Sequence, residues 1–371
     1  MTQPGMQVAV NACFVSHGRV GGAEQLVVNL LDGLRDQVAD DETWRVYSRE
    51  PLVTTYPVEP LHINVMPEAR RVNRMAFETL MLPREPRPDV WLHLNYFTPP
   101  MLRRPSVTVV YDVQYAHLPA NFSRVKRAWL DFAHKGTARR ADKIVAISEH
   151  TADDLVRLHG SKVADRIEVI PSPVSFDRLS APARLPPGVP TARPYILGVA
   201  AHYRHKNLAT LIAAHALLAK KIDVALVLVG QSRGNLAGRG SATDLDAYGG
   251  SKDVVVTGFV DDAVLGELYR SAAAFAFPSL FEGFGLPVVE ALGLRVPTVT
   301  TRCAAIPEVG GTYPLYVDDP LSAPELAQAL RATLDQPDSA RPSAAEAKAL
   351  RETYTPSVIA ERYAGLIRSL R

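Results

Sequence analysis

Two doubly wound α/β domains in tandem are predicted by this sequence of 371 residues. Three observations carry that expectation. Short apolar runs alternate with helix-period segments along the whole chain. The runs are continuously apolar rather than alternating, as strands covered on both faces are. The pattern stops once, at a proline-rich stretch, and then restarts. A chain of this length is long for one domain and comfortable for two.

In the first half, V-A-V-N-A-C-F-V (8–15), D-V-W-L-H-L (89–94), S-V-T-V-V-Y (106–111) and K-I-V-A-I-S (143–148) read as buried strands. Helices are expected at A-E-Q-L-V-V-N-L-L-D-G-L (23–34) and E-H-T-A-D-D-L-V-R-L-H (149–159), the latter capped by Ser148. The stretch 180–194 holds five prolines among small residues and can continue neither a helix nor a central strand. After it come strands at 194–200, 223–230, 253–260, 272–278 and 296–301. Helices intervene at 207–220, 261–271, 287–294 and 321–335. The glycine- and serine-rich segment 231–252 reads as a surface loop. The expected domains are therefore 1–180, a linker 181–193, and 194–354, with a last helix in 355–371.

Composition narrows the function. A net charge of +2 gives no global positive field, so a nucleic-acid binder is not expected. Basic residues do cluster over 103–143, which is either a solvated helical face or a contact for an anionic acceptor or membrane surface. The two cysteines, Cys13 and Cys303, stand far apart in no metal-ligand spacing, as suits a reducing compartment. No leader-like N-terminus and no run of about 18 apolar residues is present in the sequence. The expected location is cytoplasmic, with peripheral contact at the inner face of the membrane left open.

In open α/β sheets ligands bind beyond the carboxyl ends of the strands, so residues just after strand ends are the candidates. After the first strand, S-H-G-R-V-G-G-A-E (16–24) places Gly21 and Gly22 at a helix start, where free N–H groups suit an anion. A tight turn would also use glycine there, and the spacing is not that of a dinucleotide fingerprint. After the strand at 194–200, Arg204 and Lys206 sit in a strand-to-helix loop, flanked by His202 and His205. They can meet a phosphate or form a solvated basic loop. After the strand at 272–278, P-S-L-F-E-G-F-G-L-P-V-V-E carries Glu282 in a glycine-rich turn and Glu290 one turn into a helix begun near Pro287. Amides of Gly283, Phe284, Gly285 and Leu286 would point out from that helix start. Carboxylates suit hydroxyls, and N–H groups with basic side chains suit a diphosphate. Together they describe a sugar nucleotide.

The run from Pro278 to Thr301, followed by I-P-E-V-G-G (306–311), resembles retaining glycosyltransferases of the GT-B fold, family 4. Their motif of two glutamates separated by seven residues is matched by Glu282 and Glu290. The likeness extends to G-G-A-E (21–24), A-D-K-I-V-A-I-S-E-H-T (141–151), R-H-K-N-L (204–208) and V-V-V-T-G-F-V (254–260), in order through both halves. The resemblance implies two Rossmann-like domains facing each other across a cleft, and a final helix crossing back to the first domain. It implies that Glu290 binds the donor ribose and Glu282 the transferred sugar. Amides of Gly283 to Leu286 would hold sugar and phosphate. Arg204 and Lys206 would neutralise the departing diphosphate, Gly21 and Gly22 would approach the phosphates, and Val260 would lie near the base. No metal and no cofactor beyond the sugar-nucleotide substrate is expected.

Two departures stand out. The arginine often found before the lysine loop is absent, with Arg204 the candidate substitute. The usual His-Asp after a first-domain strand reads Tyr111-Asp112, so the histidine's role passes to Tyr111, to His117, or to nothing. Asp112 would contact donor sugar or acceptor, or be a buried structural aspartate. The resulting expectation is transfer of a mannose- or rhamnose-type sugar from a nucleoside diphosphate, with retention. The acceptor would be a hydroxyl of a saccharide, a lipid-linked sugar or a small natural product. The rivals are a GT-B phosphorylase, a sugar-nucleotide epimerase, or a binding scaffold without catalysis.

Overall fold

A computed structural model describes residues 5–15, 22–52, 59–66, 76–82, 87–101, 105–200, 203–230 and 253–371. The chain forms two compact units. Unit 1 is Met1–Val174 with Thr353–Arg371, and unit 2 is Ser175–Glu352. Among the described residues each unit is built on one all-parallel sheet.

In unit 1 the strands are β1 (Met6–Asn11), β2 (Glu42–Ser48), β3 (His62–Val65), β4 (Val90–His93), β5 (Ser106–Val110), β6 (Lys143–Ala146) and β7 (Ile167–Val169). Their order is β3-β2-β1-β4-β5-β6-β7, so the direction of winding reverses between β1 and β4. The helices are α1 (Gly22–Leu34), the short α2 (Gln114–His117), α3 (Arg124–Arg140) and α4 (Glu149–His159). Leu26, Val27, Leu30, Leu31 and Leu34 put the apolar stripe of α1 inside. Ser148 caps α4 by accepting the N–H of Thr151 at 3.1 Å, and Gly160, at φ +86°, ends it.

Unit 2 repeats the plan with β8 (Tyr195–Val199), β9 (Ala225–Val229), β10 (Val254–Gly258), β11 (Ala274–Phe277), β12 (Thr298–Thr301) and β13 (Leu315–Val317). The order β10-β9-β8-β11-β12-β13 reverses between β8 and β11. Its helices are α5 (Leu208–Leu218), α6 (Asp262–Ser271), α7 (Leu286–Gly293), α8 (Ile306–Gly310), α9 (Ala323–Asp335) and α10 (Ala344–Thr353). Ile196, Leu211, Leu228 and Leu330 share one core between the sheet and α5 and α9. Gly198 lets α5 come close, since a Cβ there would stand 2.9 Å from both Leu211 and Leu228. Helix α11 (Pro356–Arg368) belongs to unit 1 and packs on α1, where Gly33 leaves room for the Pro356 carbonyl.

The strands read from apolar runs are present, and β2, β3, β7 and β13 join them. β3 is largely exposed, β2 and β7 are interrupted by polar residues, and the apolar run of β13, L-Y-V, is only three residues long. The basic region becomes in part α3, seventeen residues long and exposed at Val125 and Phe132. The proline-rich segment is not a free linker. Residues from Ser175 onward are built into unit 2: Phe176 lies against Gly293, Arg270 donates to the Leu179 carbonyl at 2.6 Å, and Arg193 pairs with Asp223 and Asp253. The unit boundary therefore falls at Val174, before the expected 180. The expected loop 231–252 lies outside the described residues. Among the described residues, no helix is long and apolar enough to cross a membrane.

Candidate functional site

The reversal between β8 and β11 places the loops after these two strands side by side, at the crevice where open α/β sheets take ligands. The loop after β8 ends in a short 3-10 turn, Arg204–Lys206, and the loop after β11 carries Glu282. Three contacts zip them together. Leu280 donates its N–H to the His205 carbonyl at 2.7 Å, and the Ser279 hydroxyl donates to the same oxygen at 3.1 Å. Asn207, at φ 56°, donates from Nδ2 to the carbonyls of Pro278 and Pro320 at 3.1 and 2.6 Å.

On this base Lys206 Nζ stands 2.6 Å from Glu282 Oε1, with the ammonium 5.3 Å from the centroid of the Phe277 ring. Both side chains are largely but not fully buried, at 16% and 11% exposure. Burial, helped by the Lys206 charge, pushes the His205 imidazole down to about 3, so it stays neutral beside the pair. Arg204 is exposed. Helix α7 starts next to Glu282. Gly285 is left-handed at φ +102°, and a Cβ there would press on Val309 Cγ2 at 3.3 Å, so glycine both turns the chain and keeps the helix start tight. Gly283 is half-buried, and Phe284 and Gly285 are buried. The N–H groups of Gly285 and Leu286 have no intrahelical acceptor by their position, which suits an anion.

Glu290 lies one turn further on α7 and is buried. It does not meet Glu282. Its Oε1 takes a very short contact from Arg178 Nη2, and its Oε2 accepts from the Tyr269 hydroxyl at 3.1 Å. Arg178 also reaches Asp262 with Nη1 at 2.5 Å. Burial pushes the Glu290 carboxyl above its ordinary range, against the opposing pull of Arg178 and Tyr269. Val260, half-buried, follows Gly258 (φ +72°) and the exposed Phe259, two residues before Asp262. Arg178, Asp262 and Tyr269 are not legible as site residues from sequence. Arg178 is 112 positions from Glu290 and has no local pattern to mark it.

The remaining candidates lie in unit 1. Gly22 opens α1 and is exposed, with open space to 4 Å around the point a Cβ would occupy. Gly21 and His202 lie outside the described residues. Asp112 is half-buried and accepts the Gln114 N–H at 2.8 Å, a local turn bond. The Tyr111 hydroxyl donates to the Leu94 carbonyl at 2.5 Å. Burial and the neighbouring Tyr363 push its pKa well above the ordinary phenol value, so it stays protonated and engaged. His117 Nε2 lies 2.6 Å from Asp154 Oδ2 and 3.0 Å from Arg157 Nη2. His117, His150 and Asp154 are the group among the described residues close enough to share a metal ion, with ligand atoms within 4.8 Å of one another. Arg157 already pairs with Asp154 Oδ1 at 2.7 Å.

Two parallel-sheet units, each reversing its winding at one point of its sheet, have the GT-B class of fold. Solved structures agree at low identity. The chain superposes on the sucrose-phosphate synthase of Thermosynechococcus elongatus with a TM-score of 0.75 and 19% identity, covering 98% of this chain and 99% of that one. The Anabaena HepE protein in complex with UDP-glucose follows at 0.73 and 18%, covering 98% and 100%. WaaG, a glycosyltransferase of lipopolysaccharide biosynthesis, gives 0.71 and 18%, covering 97% and 99%.

The sequence profile described as Glycosyltransferase Family 4 matches residues 20–178, and that of Glycosyl transferases group 1 matches 193–336. The chain belongs to this family of glycosyltransferases. Among its relatives, the O-antigen chain mannosyltransferase B of Escherichia coli is 28% identical over 238 residues, 60% of each chain. An MMP alpha-(1->4)-mannosyltransferase of Mycolicibacterium hassiacum is 30% identical over 221 residues, 58% of this chain and 51% of that protein. The chain thus matches between half and three fifths of the length of these relatives.

Proposed function

We propose that this protein transfers a sugar from a nucleoside diphosphate donor to an acceptor hydroxyl, with retention at the anomeric carbon. The observation that carries the reading is the Lys206–Glu282 pair at the winding reversal of unit 2, set beside the start of α7. A cation and a helix N-terminus suit the diphosphate, and a fixed carboxylate suits sugar hydroxyls. Lys206, with the exposed Arg204 two positions before it, offsets negative charge as the diphosphate departs; charge that grows in the transition state is where such groups lower the barrier. Glu282 accepts from the hydroxyls of the transferred sugar and fixes its orientation. Backbone N–H groups at Gly283 to Leu286 hold the phosphates. Retention follows from the family pattern that Glu282 and Glu290 match.

Mannose is the favoured sugar, because several relatives are mannosyltransferases by name. The acceptor class the reading supports is a saccharide or a lipid-linked sugar, in line with the O-antigen relatives. The test is a donor panel of GDP-mannose, UDP-glucose and dTDP-rhamnose with nucleoside diphosphate release as the readout. Wild-type protein should release diphosphate from one member, slowly with water and faster with a saccharide acceptor. The Glu282→Ala variant should lose about a hundredfold or more in that rate. Unchanged turnover and donor affinity in Glu282→Ala would overturn the site.

A further inference from the structure

We propose that His117, His150 and Asp154 form a structural site for one divalent transition-metal ion of the zinc class, which pins α2 to α4 within unit 1. The donor-site reading rests on residues of unit 2, so the failure of one leaves the other standing.

His150 and Asp154 stand four apart on α4 and therefore share one face of it. His117 ends α2, the short helix that follows β5. Its Nε2 lies 2.6 Å from Asp154 Oδ2, and His150 Nε2 lies 3.4 Å from the same oxygen. All three atoms fall within 4.8 Å of one another. Around a tetrahedral ion with bonds of about 2.0–2.2 Å, ligand atoms stand about 3.3 Å apart. The His150–Asp154 spacing already has that value. Only His117 has to draw back, by less than 1 Å from its present 2.6 Å. Two nitrogens and one carboxylate oxygen suit zinc, whereas magnesium and calcium take oxygen ligands. The carboxylate is 6% exposed and the two imidazoles 30% and 28%, which leaves the fourth position to water.

The contacts of His117 favour an ion over a hydrogen-bonded cluster. Its Nε2 meets an acceptor, Asp154 Oδ2 at 2.6 Å, and a donor, Arg157 Nη2 at 3.0 Å. A ring nitrogen that carries a proton bonds the carboxylate and faces the guanidinium N–H head-on. One that carries a lone pair accepts from Arg157 and sets that lone pair against the carboxylate oxygen. Either way one of the two close contacts is repulsive. A metal ion removes the conflict by taking the lone pairs of Nε2 and Oδ2 together. Arg157 then keeps Asp154 Oδ1, 2.7 Å away, and orients the carboxylate from outside, as partners of metal-bound carboxylates do. Its side chain is 57% exposed, so it can release His117 without disturbing the core.

The experiment titrates Zn²⁺ by calorimetry into the full, untagged chain after treatment with a chelator. The chain holds 10 histidines and 2 cysteines, so binding alone does not locate the ion, and the variants do. His117→Ala and His150→Ala, both at partly exposed positions, should each weaken zinc binding by about a hundredfold or more, at or above the upper end of what loss of an outer partner costs. Zn²⁺ should raise the unfolding temperature of wild-type protein and leave that of both variants unmoved. Excess Mg²⁺ should not displace it. With Co²⁺ as a visible reporter, His150→Cys should add sulfur-to-cobalt charge-transfer absorption that the wild-type spectrum lacks, and this readout serves if an alanine variant does not fold. Wild-type protein that takes up no zinc would overturn the proposal, as would alanine variants that bind it as tightly as wild type. Displacement by Mg²⁺, or a His150→Cys spectrum without the new band, would overturn it too.

Discussion

Lys206 and Glu282 illustrate what a residue-scale reading can reach. Both stand in loops just after buried strands, each beside a helix start, so type and position alone make them candidates for phosphate and hydroxyl contacts. The structure adds that they touch, at 2.6 Å, across the winding reversal of one sheet. Lys206→Ala should therefore do two things. It should slow nucleoside diphosphate release by about a hundredfold, while donor KM moves far less, because a cation that meets charge developed in the transition state acts on kcat. Steady-state kinetics on the donor identified by the panel checks this split, and a change confined to KM would assign Lys206 to ground-state binding. Glu290 shows the limit of the same reading. Its motif position is legible, but its burial and its bond to Arg178 depend on a residue 112 positions away.

Helix α7 is the element on which the proposed donor site depends. Gly285 lies at φ +102° and is close to Val309, so the turn into α7 tolerates no ordinary side chain. Gly285→Ala should cost about 1–3 kcal/mol of stability in unit 2 through strain at a positive φ. It should also weaken nucleotide binding, because the helix start and Glu282 shift together. Denaturant unfolding with and without a nucleoside diphosphate measures both, and an unchanged midpoint would refute the strain argument. At this scale the sequence is most informative where strands are continuously apolar, as in A-L-V-L-V and A-F-A-F. It is silent on β3, β7 and β13, three or four residues each, whose strand character comes from pairing with a neighbour. A residue that borders a sheet needs little apolar surface of its own, so no pattern records it.

Across the whole molecule, buried neutral histidines link stability to pH. Burial holds His93 down to about 3 and His134 to about 4 in unit 1, and His205 to about 3 in unit 2. An unfolded histidine titrates near 6.5, so below that pH the unfolded chain binds protons the folded chain refuses. The stability these groups contribute is complete above about 6.5 and falls as pH drops toward 3–4, at roughly 1.4 kcal/mol per group for each tenfold rise in proton concentration. Thermal unfolding should shift to lower temperature on acidification from pH 7 to 5, and a flat profile would contradict the burial of these rings. The two α/β repeats, the ends of their continuously apolar strands and the residue types waiting there are written into the chain locally, because burial period is a local property. Packing is what assigns the proline-rich segment to unit 2 and sets α11 on α1 of unit 1. Packing also makes Arg178, rather than Glu282, the partner of Glu290. Those outcomes rest on contacts between residues far apart in the chain, and no local pattern of side chains encodes a contact whose other half lies a hundred residues away.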